Sequence, residues 1–482
     1  MTTHTTDYHV DVAILGAGTA GLGARRAAKA AGASVLMIDP GPFGTTCARV
    51  GCMPSKLLIA AADAAHHARE ASRFGIHPEG VRIDGPAVLR RVQSERDRFV
   101  GFVDEVTEQA RQERELLEGR AKIVGPGRLS VDERTTVSFD RLVIATGSTP
   151  VIPPPFRGLE HLLLTNEEVF ELEDLPKSLL VVGLGVIGLE LGQAFHRLGV
   201  RTTLLGVGGR VGPLSDPEVT ASARQVLGGE LDLQPDYTLH EIEPVEGGVR
   251  VTFTDATDTR RTEIFERILV AAGRRPNLRG LGLETLGIEP GADGRYSIDP
   301  DTLQLGEGPV FVAGDVNGLH PLLHEAADDG RIAGANAARF PEIRAATRRT
   351  PLAIVFSDPQ IGIVGQRYAD LGDCEAVAGQ IDYGNQGRAR VQGINAGKVR
   401  VYADRHSGRL LGAELFGPRV EHLSHLLAWA VQQGMTVDQA LQMPFYHPVV
   451  EEGIRTALRD LSAAMRHGSP IKCPVSELGP GA

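Results

Sequence analysis

Two cysteines stand five residues apart in Cys47-Ala-Arg-Val-Gly-Cys52, followed by Met53-Pro54-Ser55-Lys56 and an alanine-rich run, Leu57 to Ala71, that reads as a helix. Proline early in a first turn suits helix initiation, which puts Cys52 at the helix entrance. Free amide N–H groups and the helix dipole favour a thiolate there, so the pair is suited to making and breaking a disulfide near neutral pH. Zinc is the alternative use of such a pair, but structural zinc usually takes four ligands, and Cys374 and Cys473 stand alone and far away. A second reactive pattern, Phe445-Tyr-His447-Pro-Val-Val-Glu451-Glu452, precedes the helical run Gly453 to Leu461. A carboxylate that orients an imidazole fixes its tautomer and raises its basicity, as a general acid–base requires. The bare spacing also fits an ordinary surface histidine.

The segments that must position these groups carry an internal repeat. Val10 to Leu15 is a buried-strand pattern, followed at once by Gly16-Ala-Gly18-Thr-Ala-Gly21 and a helix to about Ala31. A second strand, Ser34 to Ile38, ends in Asp39, eighteen residues after Gly21, where a carboxylate suits ribose hydroxyls. The same unit recurs as Leu179 to Val182, Gly183-Leu-Gly185-Val-Ile-Gly188, a helix to about Leu198 and a strand from Val200 to Leu205. Gly183, Gly188 and Gly199 each stand 167 residues after Gly16, Gly21 and Gly32. Such glycines let the amides of a helix N-terminus approach a pyrophosphate, so two units predict two bound dinucleotides. The second unit has Gly206 where the first has Asp39, and Arg201 and Arg210 flank that strand; they suit a 2′-phosphate or are simply solvated charges.

Two more apolar strands end in glycine loops, Phe139 to Thr146-Gly147 and Val310 to Gly314-Asp315, and Asp315 there suits a cofactor hydroxyl. Proline-rich Pro150 to Pro155 is the expected crossing point into the second nucleotide unit, and the first resumes near Gly273. From about Pro351 short alternating strands and helical patterns predict a separate α+β domain.

Composition agrees with enzyme-sized domains: of 482 residues 42% are hydrophobic and 23% charged, which disfavours disorder. A net charge of −11 argues against nucleic acid or an anionic membrane as the main partner. Met1 to Val10 lacks the basic start and apolar run of a signal peptide, and Leu179 to Leu189 is too short to span a bilayer. A cytoplasmic location without membrane association is the expectation.

In order and nearly end to end, Gly16 to Gly21, Cys47 and Cys52 with Pro-Ser-Lys56 behind them, Ala145-Thr146-Gly147, the second glycine unit, Gly314-Asp315 and His447-Pro448 resemble the FAD-dependent pyridine nucleotide disulfide oxidoreductases. Within that family the dihydrolipoamide dehydrogenases are the branch the chain looks most like. The resemblance implies an α/β fold of two Rossmann-like domains, for FAD and NAD(P), the second inserted in the first, plus a C-terminal α+β dimerisation domain. The implied boundaries are 1–150 and 274–350 for FAD, 151–273 for NAD(P) and 351–482 for dimerisation.

By the same resemblance Cys52 is the thiol beside the flavin, Cys47 the thiol that exchanges with substrate sulfur, and His447 the acid–base. Glu452 is its acidic partner, and the pair serves the other subunit of a homodimer. Asp39, Lys56, Ala121, Thr146, Gly147 and Asp315 join Gly16, Gly18 and Gly21 as FAD contacts. Gly183, Gly185, Gly188, Glu190 and Gly273 fall on the nicotinamide side. The implied reaction is oxidation of protein-bound dihydrolipoamide through the Cys47–Cys52 disulfide and FAD, with hydride passed to NAD. The implied partner is a lipoyl carrier protein or the lipoyl domain of a 2-oxoacid dehydrogenase or related complex.

Several residues depart from the family pattern. Thr45, Ala48 and Arg49 replace the usual residues around the first cysteine, Val449 stands where threonine is common, and Gly206 replaces an acid. These keep open an NADPH-dependent reductase of another small disulfide, although Val186, at the nicotinamide gate, differs from the tyrosine of glutathione reductases. A mercuric reductase would carry vicinal cysteines at its C-terminus, where Cys473 stands alone; soluble transhydrogenases lack one of the two redox cysteines. From another class, a docking component of a multienzyme assembly remains as an alternative.

Overall fold

The computed structural model describes residues 6–372 and 375–467. The chain opens as β1 (Thr6–Leu15), α1 (Thr19–Ala30), β2 (Val35–Asp39), α2 (Thr46–Val50), α3 (Cys52–Glu70) and α4 (Gly85–Gln112). Then come β3 (Leu116–Glu118), β4 (Ala121–Gly125), β5 (Arg128–Val131) and β6 (Thr135–Ile144). The sheet runs β3-β2-β1-β6-β5-β4, with β1, β2, β3 and the adjoining β6 parallel. Val12, Ile14, Leu36, Met37, Val143 and Ile144 are almost wholly buried, as expected for parallel strands covered on both faces.

Residues 148–276 supply β7 (Ser148–Pro150), β8 (Leu163–Leu164), β9 (Ser178–Val182), α5 (Val186–Arg197), β10 (Arg201–Leu205) and α6 (Pro217–Glu230). They continue through β11 (Asp232–Gln234), β12 (Thr238–Val245), β13 (Gly248–Thr254), β14 (Arg260–Phe265), β15 (Arg267–Val270) and β16 (Arg274–Pro276). A second parallel sheet has the order β11-β10-β9-β15-β8, and β12, β13 and β14 form an antiparallel sheet beside it. Pairing of β7 with β16 brings the outgoing and returning chain together. The chain then rejoins the first sheet: β17 (Val310–Val312) pairs with β6, and α7 (Leu323–Arg339) packs along α1, with Gly330 and Gly334 against the backbone of Ala20 and Ala24.

The last unit contains β18 (Leu352–Val355), β19 (Gln360–Gly365), β20 (Ala376–Asp382), α8 (Gly387–Gln392), β21 (Lys398–Asp404) and β22 (Leu410–Gly417). It closes with α9 (Val420–Gln432), α10 (Val437–Leu441) and α11 (Glu452–His467). Its sheet, β18-β19-β22-β21-β20, is antiparallel throughout. Two Rossmann-like units plus a C-terminal α+β unit are therefore present. No described helix is long and apolar enough to cross a membrane.

A candidate redox site between two nucleotide cradles

Strand register builds both cradles. Leu15 pairs with Ile38 and Ile144, so Gly16, Asp39 and Ala145 emerge together at the carboxyl ends of three parallel strands. Val182 pairs with Leu205 and Val270, which aligns Gly183, Gly206 and Ala271 in the same way. Gly16 and Gly183 have φ of +106° and +111°, and a Cβ on either would run into the carbonyl of Ala145 or Ala271. Gly21 and Gly188 leave no room for a Cβ against the carbonyls of Gly16 and Gly183. Gly18 and Gly185, the N-caps of α1 and α5, face open space. The two turns thus have matching shapes, each with an unfilled seat before helix amides, which fits a dinucleotide pyrophosphate at both.

Around the first cradle, both Asp39 carboxylate oxygens accept backbone N–H groups, from Ala17 and Gly41, each at 2.7 Å. Thr146 donates to the Asn277 carbonyl at 2.8 Å, and the backbone at Gly147 (φ +67°) leaves space above it. Asp315 accepts from Ser148 Oγ at 2.9 Å, and Ser148 Oγ accepts from Arg274 Nε at 2.8 Å. Arg274 also donates to Asn166 Oδ1, whose amide donates to the carbonyl of Val50, between the two cysteines. A polar chain therefore runs from the Gly314-Asp315 loop to the cysteine turn. The sequence reading missed Ser148, Asn166 and Arg274, although Arg274 directly follows Gly273.

The cysteine pair sits where two helices meet, with Gly51 ending α2 and preceding α3. Both cysteines are free thiols, and each shifts the titration of the other. Donation from Cys47 and the nearby Lys56 ammonium bring Cys52 down to about 7, against its burial and the Glu190 carboxylate. Cys47 is pushed up, chiefly because it holds the shared proton. Cys52 is thus the thiolate of the pair. One turn along α3, Lys56 Nζ reaches Glu190 Oε2 on α5 at 2.8 Å and lies 4.5 Å from the centroid of Phe356. The Phe356 amide donates to the same Glu190 carboxylate at 2.9 Å. Lys56 and Glu190, expected on opposite cofactor sides, are direct partners.

Cys47, Cys52, Lys56, Glu190, Gly18, Gly185, Gly147, Gly273 and Asp315 line one cavity of about 1610 Å³. His447 and Ala121 do not line it. Ala121 begins β4 and packs beside the apolar core formed by Ile123, Leu129 and Val137. His447 Nδ1 lies 3.1 Å from both Glu452 oxygens, so the expected imidazole–carboxylate pair is formed, and that contact is what lowers the Glu452 carboxyl. The His447 side chain is 80% exposed and follows exposed Tyr446, and it does not line the cavity of its own chain's cysteines.

One reading requires correction. Arg201 begins β10 while Gly206 follows its end, and Arg201 pairs with Glu263 at 2.8 Å and donates to the carbonyl of Ile264. It does not flank the nucleotide corner, because the strand places it at the opposite end. Cys374 and Cys473 fall outside the described residues, and no cluster of three metal-ligating side chains occurs among the described ones.

Comparison with known proteins agrees with this geometry. Residues 10–336 match the family described as pyridine nucleotide-disulphide oxidoreductase, and residues 352–458 match its dimerisation domain, which supports a homodimer. The chain is 31% identical over 459 residues to a dihydrolipoyl dehydrogenase of Halobacterium salinarum, covering 93% of this chain and 95% of that one. It is 33% identical over 455 residues to a mercuric reductase of Streptomyces lividans, covering 91% and 93%. The crystal structure of LpdA from Mycobacterium tuberculosis superposes with a TM-score of 0.78 at 27% identity, covering 94% and 99%. With two dinucleotide cradles opening on one cysteine pair, the chain belongs to the pyridine nucleotide-disulphide oxidoreductase family and is an FAD- and NAD(P)-dependent oxidoreductase.

Proposed function

We propose that the protein exchanges two electrons between a small dithiol–disulfide couple and a nicotinamide nucleotide through Cys47 and Cys52, and that the couple is dihydrolipoamide and lipoamide on a carrier. The observation that carries this reading is the pair of free thiols at and just before the start of α3, in the cavity shared by both glycine turns. The dihydrolipoyl dehydrogenases among the relatives support the substrate.

In the oxidised protein a substrate thiolate attacks the Cys47 sulfur, forming a mixed disulfide and releasing Cys52 as thiolate. The second substrate thiol then attacks its own sulfur in that bond, leaving a cyclic disulfide and freeing Cys47. Stabilisation of Cys52 by Lys56 and by the helix amides makes it the better leaving group. His447, held in one orientation by Glu452, accepts the substrate proton across the subunit boundary. Bound FAD would supply the route for the electron pair from the cysteines to the nicotinamide. The FAD contacts fall to Asp39, Lys56, Thr146, Gly147 and Asp315, with Ala121, which lies outside the cavity lining, assigned by resemblance alone, and the unit boundaries fall to residues 150, 273 and 350.

Anaerobic stopped-flow absorbance of the yellow protein tests this. Rapid flavin reduction by dihydrolipoamide, lost in Cys47→Ser, is expected. Reduction by a nicotinamide nucleotide with no response to dihydrolipoamide would reject lipoamide in favour of another small disulfide, the second reading that Thr45, Ala48 and Arg49 favour.

A further inference from the structure

The corner that follows β10 is where a dinucleotide fold recognises the adenosine ribose, and a carboxylate there selects an unphosphorylated 2′-hydroxyl. In this chain the corner is Gly206, whose amide is held by the Gln234 carbonyl at 2.7 Å. A Cβ on Gly206 would lie 2.6 Å from Leu184 Cδ1 and 2.7 Å from its Cγ. Leu184 is the residue between the first two fingerprint glycines, and it is 5% exposed in an apolar core. Leucine at 184 and glycine at 206 are therefore one packing solution, and it shuts out a ribose carboxylate at this position.

Basic groups stand at the same corner. Arg210 lines the cavity together with Gly206 and Val207. Arg224 reaches across from α6, and its guanidinium lies against Gly209, occupying the space a side chain would take there. Neither guanidinium forms an ion pair or hydrogen bond among the described residues, whereas Arg197, Arg201 and Arg261 of the same unit are all paired with carboxylates. A carboxylate at this turn, Asp236, is engaged by the Gly208 amide at 3.3 Å.

We propose that Arg210 and Arg224 form a 2′-phosphate site that makes NADPH the preferred nicotinamide nucleotide of this protein. The inference rests on the second glycine turn holding the nicotinamide nucleotide, and on no particular disulfide substrate. A phosphate dianion suits planar guanidinium donors, and the corner offers two with no competing partner.

The test is anaerobic flavin reduction of the holoenzyme by NADPH and NADH, with calorimetric titration of adenosine 2′,5′-bisphosphate and 5′-AMP. We expect kcat/KM for NADPH to exceed that for NADH by at least about tenfold, the size of one charge-assisted hydrogen bond. The bisphosphate should bind more tightly than AMP. In Arg224→Gln and separately in Arg210→Gln, the NADPH-to-NADH ratio should fall by about tenfold, with the FAD content unchanged. Equal or better use of NADH by the unaltered protein, or an unchanged ratio in both variants, overturns the assignment. Failure of both nucleotides to bind or to reduce the flavin would instead overturn the nucleotide reading of the second turn.

Discussion

Lys56 Nζ lies 2.8 Å and 3.0 Å from the two carboxylate oxygens of Glu190. The helix that starts at Cys52 is thus tied to the helix that starts at the second glycine turn. The two charges act on Cys52 with opposite sign, Lys56 lowering its pKa and Glu190 raising it. Lys56→Met should therefore move the Cys52 titration upward from about 7, and Glu190→Gln should move it downward. Thiolate absorbance in the ultraviolet, followed against pH in the reduced protein, checks both. Shifts of the same sign in the two variants would sink the argument. Lys56→Met also leaves Glu190 buried without its cation, costing about 2 kcal/mol once the partial exposure of Lys56 is discounted.

The thiol pair should titrate as a unit. Alkylation by iodoacetamide should rise as pH passes through about 7 and should fall first on Cys52, because Cys47 retains its proton well above that range. Cys47→Ser keeps an O–H donor at this position, whereas Cys47→Ala removes it. The Cys52 titration should move to higher pH in the alanine variant, by more than in the serine variant. Peptide mapping after brief alkylation at pH 7 identifies the residue modified.

The exposed His447–Glu452 pair predicts shared active sites. His447→Gln should lower dithiol-dependent turnover by about 100-fold or more, with flavin reduction by the nicotinamide nucleotide retained. Mixed dimers of His447→Gln with Cys47→Ser chains should regain turnover from two nearly inactive parents, since one of their two sites keeps both residues. A verified mixed dimer with no recovered activity would place the acid–base elsewhere.

Thr45 adopts φ 60° and ψ 150°, a conformation suited to glycine, while its Oγ accepts the Ala48 amide at 3.3 Å as the cap of α2. Relief of the strained backbone outweighs loss of that long hydrogen bond, so Thr45→Gly should stabilise the protein by about 1 kcal/mol. Thermal unfolding of the two holoproteins at matched FAD occupancy measures the difference. A lower midpoint in the glycine variant would mean that the cap outweighs the strain.

Much of this architecture was legible because it is written in local patterns. The strand, glycine turn and helix of each cradle occupy about twenty consecutive residues, and the thiolate position of Cys52 follows from the proline two residues later. His447 and Glu452 lie five apart and meet as expected. What could not be read depends on packing between distant segments. The Leu184–Gly206 contact, the reach of Arg224 from α6, and the chain from Asp315 through Arg274 and Asn166 to Val50 join residues with no sequence pattern in common. Arg201 misled because adjacency to a strand does not say which end of it a residue occupies. The link between Lys56 and Glu190, 134 positions apart, shows the same limit.

The open seats at Gly18 and Gly185 have a practical corollary. Bulk added at Gly21 or Gly188 collides with backbone and damages the turn itself, whereas bulk at Gly18 or Gly185 meets nothing but the space for the ligand. Under the proposed function each terminal of the electron circuit therefore has its own switch, and either should open by one substitution while the other terminal and the scaffold between them stay intact.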